Sequence, residues 1–197
     1  SLFWRSFTHW IGGMGVLVFL LAVLPMAGGS QFQLMKAESP GPSVGKLVPK
    51  VGATARILYI IYFAMTVATI VLLLLGGMDP FDAITISFGT AGTGGFGVKA
   101  DSCASYSTFC IWVITIFMLL FGVNFNFYYF LTLKRIRDAF RIEEVRWYAI
   151  IVVAATGICF VTLLGEFGSF EALTQAAFQV ATIITTTGYA TTDFNLW

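Results

Sequence analysis

The sequence predicts an all-α polytopic membrane protein made of repeated span–pore loop–span units, with short re-entrant pore helices running into filter loops. Three observations predict it. First, 58% of the 197 residues are hydrophobic and only 11% are charged, whereas an ordinary soluble domain carries about 25% charged residues. Second, residues 57–78, 108–133 and 147–165 hold no charged residue, and 6–35 holds none apart from His9. About 20 apolar residues cross the hydrocarbon core as a helix, so all four stretches are long enough. Third, two glycine-containing stretches recur beside these spans: Thr93-Gly94-Gly95-Phe96-Gly97 and Thr186-Thr187-Gly188-Tyr189-Ala190. Each follows a similar run, Phe81-Asp82-Ala83-Ile84-Thr85 or Phe170-Glu171-Ala172-Leu173-Thr174.

Residues 1–25 form the first span, with its helix over 4–24. It begins at an interfacial set, Trp4, Arg5 and Trp10, and carries Gly12, Gly13 and Gly15, small residues that let helix backbones approach closely in lipid. Residues 26–55 form a polar linker stopped by Pro40 and Pro42. Residues 56–133 make one complete unit. Its first span, 56–76, ends at Gly76-Gly77, and Asp79 caps a helix with Pro80 at the first position. That helix, about 80–90, is too short to cross, so it is re-entrant. Its non-helical continuation must be buried in protein or line water. Residues 98–107 are an outer loop and 108–133 a returning span. This span carries Asn124 and Asn126 near Gly122, amides suited either to helix packing or to a wet cavity. Residues 134–146 form a second linker. Residues 147–197 give one more span and a second re-entrant helix, about 170–183, with Ser169 as its cap. Gly95 and Gly188 lie 93 residues apart, the length of one repeat. The chain begins and stops abruptly, as a fragment does.

The net charge of +1 conceals an asymmetry. The two linkers, with Arg56 and Arg146 at their edges, hold nine of the eleven Lys and Arg against four acids; the other connections hold two against six. An excess of Lys and Arg marks the cytoplasmic side, so both glycine stretches face outward. Basic patches also bind nucleic acid, but these border spans, and orientation is the preferred reading, with no nucleic-acid partner. The cysteine count is odd: Cys159 lies in a span, while Cys103 and Cys110 sit near the outer face, where they can pair. Free structural thiols are the preferred reading. His9 reads as an interfacial polar residue beside Trp10. No buried acid–base pair, Ser/His/Asp set or metal spacing is visible, so an enzyme is not expected.

A helix running into Thr-x-Gly-aromatic-small has the form of a potassium-channel filter, where backbone carbonyls replace the ion's hydration shell. Glycine is needed there because a side chain blocks the carbonyls from turning inward. The expected ion-binding backbone is Thr93, Gly94, Gly95 and Phe96 in one loop and Thr186, Thr187, Gly188 and Tyr189 in the other. The carbonyls of Thr93, Gly94, Gly95, Thr186, Thr187 and Gly188 would hold potassium, the transported ion, and no resident cofactor is expected. Asp82, Asp101, Glu171 and Asp193 add negative potential at the outer mouth, or are ordinary helix-start and loop acids. Gly94 stands where a strict channel filter has Val, and Ala190 where it has the last Gly, so looser discrimination against sodium is expected.

Trp4-Arg5-Ser6, Trp10-Ile11-Gly12-Gly13-Met14-Gly15, Glu38-Ser39-Pro40-Gly41-Pro42, Thr54-Ala55-Arg56, Gly92 to Gly97 and Thr187 to Phe194 together closely resemble the TrkH branch of the Trk/Ktr/HKT potassium-transporter superfamily. The resemblance covers essentially the whole chain. It implies four non-identical units around one pore, with filter glycines at Gly95 and Gly188, and potassium uptake across a bacterial inner membrane. It also implies a homodimer bound to a cytosolic nucleotide-sensing subunit of the TrkA type. Competing readings are a two-pore-loop potassium channel completed by dimerisation, and a non-transporting scaffold or sensor.

Overall fold

A backbone in lipid has no water to bond with, so it satisfies itself by helix. In the computed structural model, which describes residues 1–15, 51–165 and 167–192, the described residues form eight helices. They are α1 Leu2–Gly13, α2 Val51–Leu75, α3 Pro80–Ala91, α4 Thr108–Gly122, α5 Asn126–Thr132, α6 Ile136–Ala139, α7 Glu143–Leu163 and α8 Ser169–Ile184. Apart from a single bridge between Lys99 and Ser102, no β pairing occurs among these residues.

Two helices are each long and apolar enough to cross a membrane, over Ala55–Leu75 and Glu143–Leu163. At 1.5 Å per residue each covers roughly 30 Å. Their outer faces expose Ile60, Phe63, Val67 and Val71 on α2 and Ile150, Val153, Ile158 and Val161 on α7, as a lipid-facing or unit-facing surface requires.

The first expected span differs from its prediction. The helix stops at Gly13, Met14 caps it, and Gly15 takes a φ of 79°; residues 16–50 lie outside the described residues. Of the three glycines, Gly13 makes the close approach. A Cβ there would lie 2.5 Å from the Tyr62 hydroxyl and 2.9 Å from the Gly92 Cα, whereas one at Gly12 would meet nothing within 4 Å. Trp10 locks α1 to α2 by donating its indole N–H to Thr66 Oγ1 at 3.0 Å and accepting the Tyr62 hydroxyl on its carbonyl at 2.8 Å.

The returning span is also not one helix. α4 and α5 meet at 91°. Val123 is extended, and Asn124 Oδ1 accepts the Asn126 amide at 3.0 Å, so the side chain starts a new helix instead of continuing the old one. A helix end frees carbonyls that need donors. The Tyr128 hydroxyl takes Leu120 at 2.6 Å, and the Tyr148 hydroxyl, from α7, takes Leu119 at 3.1 Å.

α3 packs against α1 and α2, α8 against α7 and α4, and α4 joins the two groups. The main core holds Leu73, Ile86, Ile111, Ile114 and Met118 together with Phe178 and Tyr189 from the last segment. The two pore-loop segments therefore share one interior.

Candidate ion filter

α3 starts as expected: Asp79 Oδ2 accepts the Phe81 amide at 3.1 Å, and Pro80 occupies the first turn. Such a cap contributes about 1 kcal/mol. The cap predicted at Ser169 does not form; α8 begins at Ser169 itself, with Gly168 before it and no side-chain cap bond. α3 has 12 residues and α8 has 16, about 18 and 24 Å, and both fall short of the hydrocarbon thickness.

Both helices end in the same hydrogen-bonded turn. The amide of Thr93 bonds the carbonyl of Thr90, and that of Gly94 bonds Gly89; 93 residues later Thr186 bonds Ile183 and Thr187 bonds Thr182. This is a Schellman termination, whose left-handed position is usually glycine. Here it is a threonine in each case, at φ 52° for Thr93 and 54° for Thr186. A left-handed β-branched residue costs about 1–2 kcal/mol, and such strain gathers at functional sites. Two residues on, Gly95 has φ 62° and Gly188 φ 92°, while the residues between, Gly94 and Thr187, are not left-handed. Alternating handedness sets successive backbone groups of one kind toward one side, which a row of ion-facing carbonyls requires.

The structure brings the two loops into contact at one point. A Cβ at Gly95 would fall on the Thr187 carbonyl oxygen and lie 2.9 Å from the Gly188 carbonyl carbon; at Gly188 nothing described lies within 4 Å. The aromatic residue of each loop is held by an earlier element. The Phe96 ring lies under the Arg5 guanidinium, 4.2 Å from its centroid, and meets the His9 ring edge-on at 4.9 Å. Tyr189 is buried, and its hydroxyl donates to the Ile86 carbonyl at 3.1 Å in α3. Ala190 is pinned by the outer loop: its amide donates to Ser102 Oγ at 3.2 Å and its carbonyl accepts the Cys103 amide at 2.9 Å. Arg5, His9, Ser102 and Cys103 were not readable as filter supports. The i, i+4 placement of Arg5 and His9 is the only trace of their shared face.

The outer acids do not form one cluster. Asp82 accepts the Tyr106 hydroxyl at 2.8 Å, and Lys99 lies 4.2 Å from the Tyr106 ring centroid. Burial, then the bond to Asp82, raises the Tyr106 pKa, which keeps this hydroxyl a donor. Asp101 and Glu171 are exposed with no ion-pair partner among the described residues, and Asp193 lies outside them. All three cysteines are free, and burial pushes the Cys103 thiol up to about 12.

On the other side of Thr93 is a cavity of about 410 Å³, walled also by Ala91, Gly13, the break from Gly122 to Phe125, Glu144 and Tyr148. Asn124 both lines it and packs: its Nδ2 donates to Glu144 Oε2 at 2.6 Å.

The sequence model of the TrkH family, described as a cation transport protein, matches residues 1–197. The chain is 36% identical over 204 residues to the Trk system potassium uptake protein TrkH of Vibrio parahaemolyticus, covering 100% of this chain and 42% of that protein. It is 32% identical to the Trk system potassium uptake protein TrkG of Escherichia coli, with 100% and 41% covered. The crystal structure of the potassium transporter TrkH from Vibrio parahaemolyticus superposes with a TM-score of 0.78 at 32% identity, covering 100% of this chain and 40% of that one. The chain thus spans about two fifths of the length of the relatives it matches.

Proposed function

The chain belongs to the TrkH family of cation transport proteins, and from that premise we propose that it supplies two walls of a potassium-selective uptake pore. The carrying observation is the pair of loops with matched left-handed positions, Thr93 and Gly95 against Thr186 and Gly188. In this reading the carbonyls of Thr93, Gly94, Gly95, Thr186, Thr187 and Gly188 take the place of potassium's water, with Phe96 and Tyr189 as the outer anchors. The C-terminal, partially negative ends of α3 and α8 lead into the loops and favour a cation.

The protein is a multi-pass one of a bacterial inner membrane in this reading, and its basic linkers set the filters on the outer face. The same linkers, with Arg135 and Arg141, are where a cytosolic nucleotide-sensing subunit of the TrkA type would dock on a homodimer. Asp82, Asp101, Glu171 and Asp193 enrich cations outside the filter.

The test uses the full-length protein in cells lacking other potassium uptake, with rubidium uptake competed by sodium. Among the described residues nothing lies within 4 Å of a Gly188 Cβ, so within this chain Gly188→Ser acts through its φ of 92°. It should lower potassium-over-sodium preference about tenfold, equivalent to about 1.4 kcal/mol. Gly95→Ser should act more strongly, because its side chain also displaces the Thr187 carbonyl. Gly157→Ser, in α7 with nothing within 4 Å, is the control. If all three keep the parent's preference, these loops are not the filter.

A further inference from the structure

The 410 Å³ cavity beside Thr93 contains one charged group that the filter does not use. Glu144 Oε2 accepts the Asn124 amide at 2.6 Å. Among the described residues no cation pairs with it: the one ion pair within 4 Å joins Arg135 to Asp138. Two other polar side chains of the wall, Asn124 and Tyr148, are committed elsewhere. Asn124 Oδ1 accepts the Asn126 amide, and the Tyr148 hydroxyl donates to Leu119. Among the described residues Glu144 therefore keeps one oxygen without a donor, in a cavity that opens next to Thr93 and the C-terminal residue of α3. The partially negative C-terminus of α3 adds attraction for cations in this space, and the partially positive N-terminus of α7, where Glu144 sits, offsets part of it.

We propose that Glu144, positioned by Asn124, forms a cation site on the inner side of the filter, where a rehydrated monovalent cation rests and for which a divalent cation competes. This rests on the transport reading above. Two features set its selectivity. The volume holds on the order of a dozen waters at about 30 Å³ each, so an ion there keeps its hydration shell. The protein offers charge and not a closed ring of oxygens, so the site ranks ions by charge, and a divalent ion gains twice the Coulomb attraction of a monovalent one. The 91° break between α4 and α5 belongs to the same device: Asn124 sits in that break, and its amide reaches Glu144 only because α4 stops at Gly122.

The experiment is rubidium flux through the full-length protein in liposomes, with magnesium added on the side of the α7 N-terminus or on the opposite side. Each variant is normalised to its own magnesium-free flux. The parent should be inhibited from the α7 N-terminal side. Glu144→Gln should raise the half-inhibiting magnesium concentration about tenfold, through the loss of one unit of charge facing a divalent ion. Asn124→Ser keeps an oxygen for the Asn126 amide but is too short to hold Glu144, so it should raise the half-inhibiting concentration by a smaller factor in the same direction; it decides alone if Glu144→Gln fails to reach the membrane. Unchanged magnesium sensitivity in a variant that conducts overturns the site and leaves the transport reading standing. Absence of rubidium flux in the parent overturns both.

Discussion

The two candidate filter loops share their left-handed positions and hold them by opposite means. Offset by 93 residues, Gly89 corresponds to Thr182, Gly92 to Thr185 and Gly94 to Thr187. In the first loop these positions are gaps that neighbours enter. The Tyr189 hydroxyl occupies the space beside Gly89, the His9 carbonyl oxygen lies 2.6 Å from where a Gly92 Cβ would be, and the His9 ring lies 3.1 Å from that of Gly94. In the second loop the same positions carry hydroxyls that brace from within. Thr182 Oγ1 accepts the Gly188 amide at 3.0 Å. Thr185 donates to the Ala181 carbonyl at 2.7 Å, which leaves Thr187 as the donor in their 2.8 Å contact. A strained, left-handed backbone can thus be fixed by packing from outside or by its own side chains. The first way makes the loop depend on α1 and on the second loop; the second braces Thr182 to Gly188 from within, while Tyr189 and Ala190 still rest on α3 and the outer loop.

The largest effect should come from filling a gap whose intruder cannot rotate away. Gly92→Ala places a methyl against the His9 carbonyl and 3.1 Å from the Trp10 amide, both backbone atoms of α1. Overpacking of this kind costs about 1–3 kcal/mol or more. The matching change, Thr185→Ala, removes the hydroxyl that bonds Ala181 and Thr187 but adds no atom to the packing, and should cost about 1–1.5 kcal/mol. Thermal unfolding of the full-length protein and rubidium uptake check the pair: Gly92→Ala should lower both sharply, Thr185→Ala only mildly. Equal effects would mean that both loops are braced alike.

A smaller effect should follow from unbracing the second loop. Thr182→Val keeps the volume and removes the oxygen that accepts the Gly188 amide. The loss of about 1 kcal/mol of positioning should lower potassium-over-sodium preference several-fold with little change in unfolding temperature. Thr182→Ser should restore it. A variant with parental preference would show that the Gly188 amide needs no fixed partner.

What was legible in the chain follows the same division between local and distant causes. Asp79-Pro80 and the glycines at Gly95 and Gly188 act through their own dihedrals and nearest amides, and a sequence displays such causes directly. The extra turn of α8 is also readable. The Phe-acid-Ala runs are 89 residues apart while the filters are 93 apart, and the difference of four is one helical turn. The break after Gly122 was not readable, because an apolar helix continues unless something takes its freed carbonyls. The taker at Leu119 is Tyr148, 29 residues away. The clasp of His9 on Phe96 crosses 87 positions, and neither residue announces the other. The same holds for Glu144, which reads as an ordinary first-turn acid until Asn124 is brought beside it.

The smallest predicted effect concerns the outside brace with the weakest grip. Arg5 is exposed and stacks on Phe96 at 4.2 Å, a contact that contributes about 0.5–1 kcal/mol at an exposed site. It also places a positive charge beside the proposed filter. Arg5→Met therefore has two opposed consequences. Loss of stacking loosens Phe96 and should slightly lower preference for potassium over sodium, independently of salt. Loss of charge should lower the KM for rubidium, about twofold at most, and only where charges are felt at distance. The Debye length falls from about 30 Å at 0.01 M to about 10 Å at 0.1 M, so raising ionic strength with an impermeant salt should return the KM to the parental value while the preference stays lowered. Arg5→Lys keeps the charge and gives up the planar stack, so it should show the preference change without the KM change. If Arg5→Met alters neither quantity at low ionic strength, Phe96 is held by His9 and the loop itself, and the first filter is more self-supporting than its glycines imply.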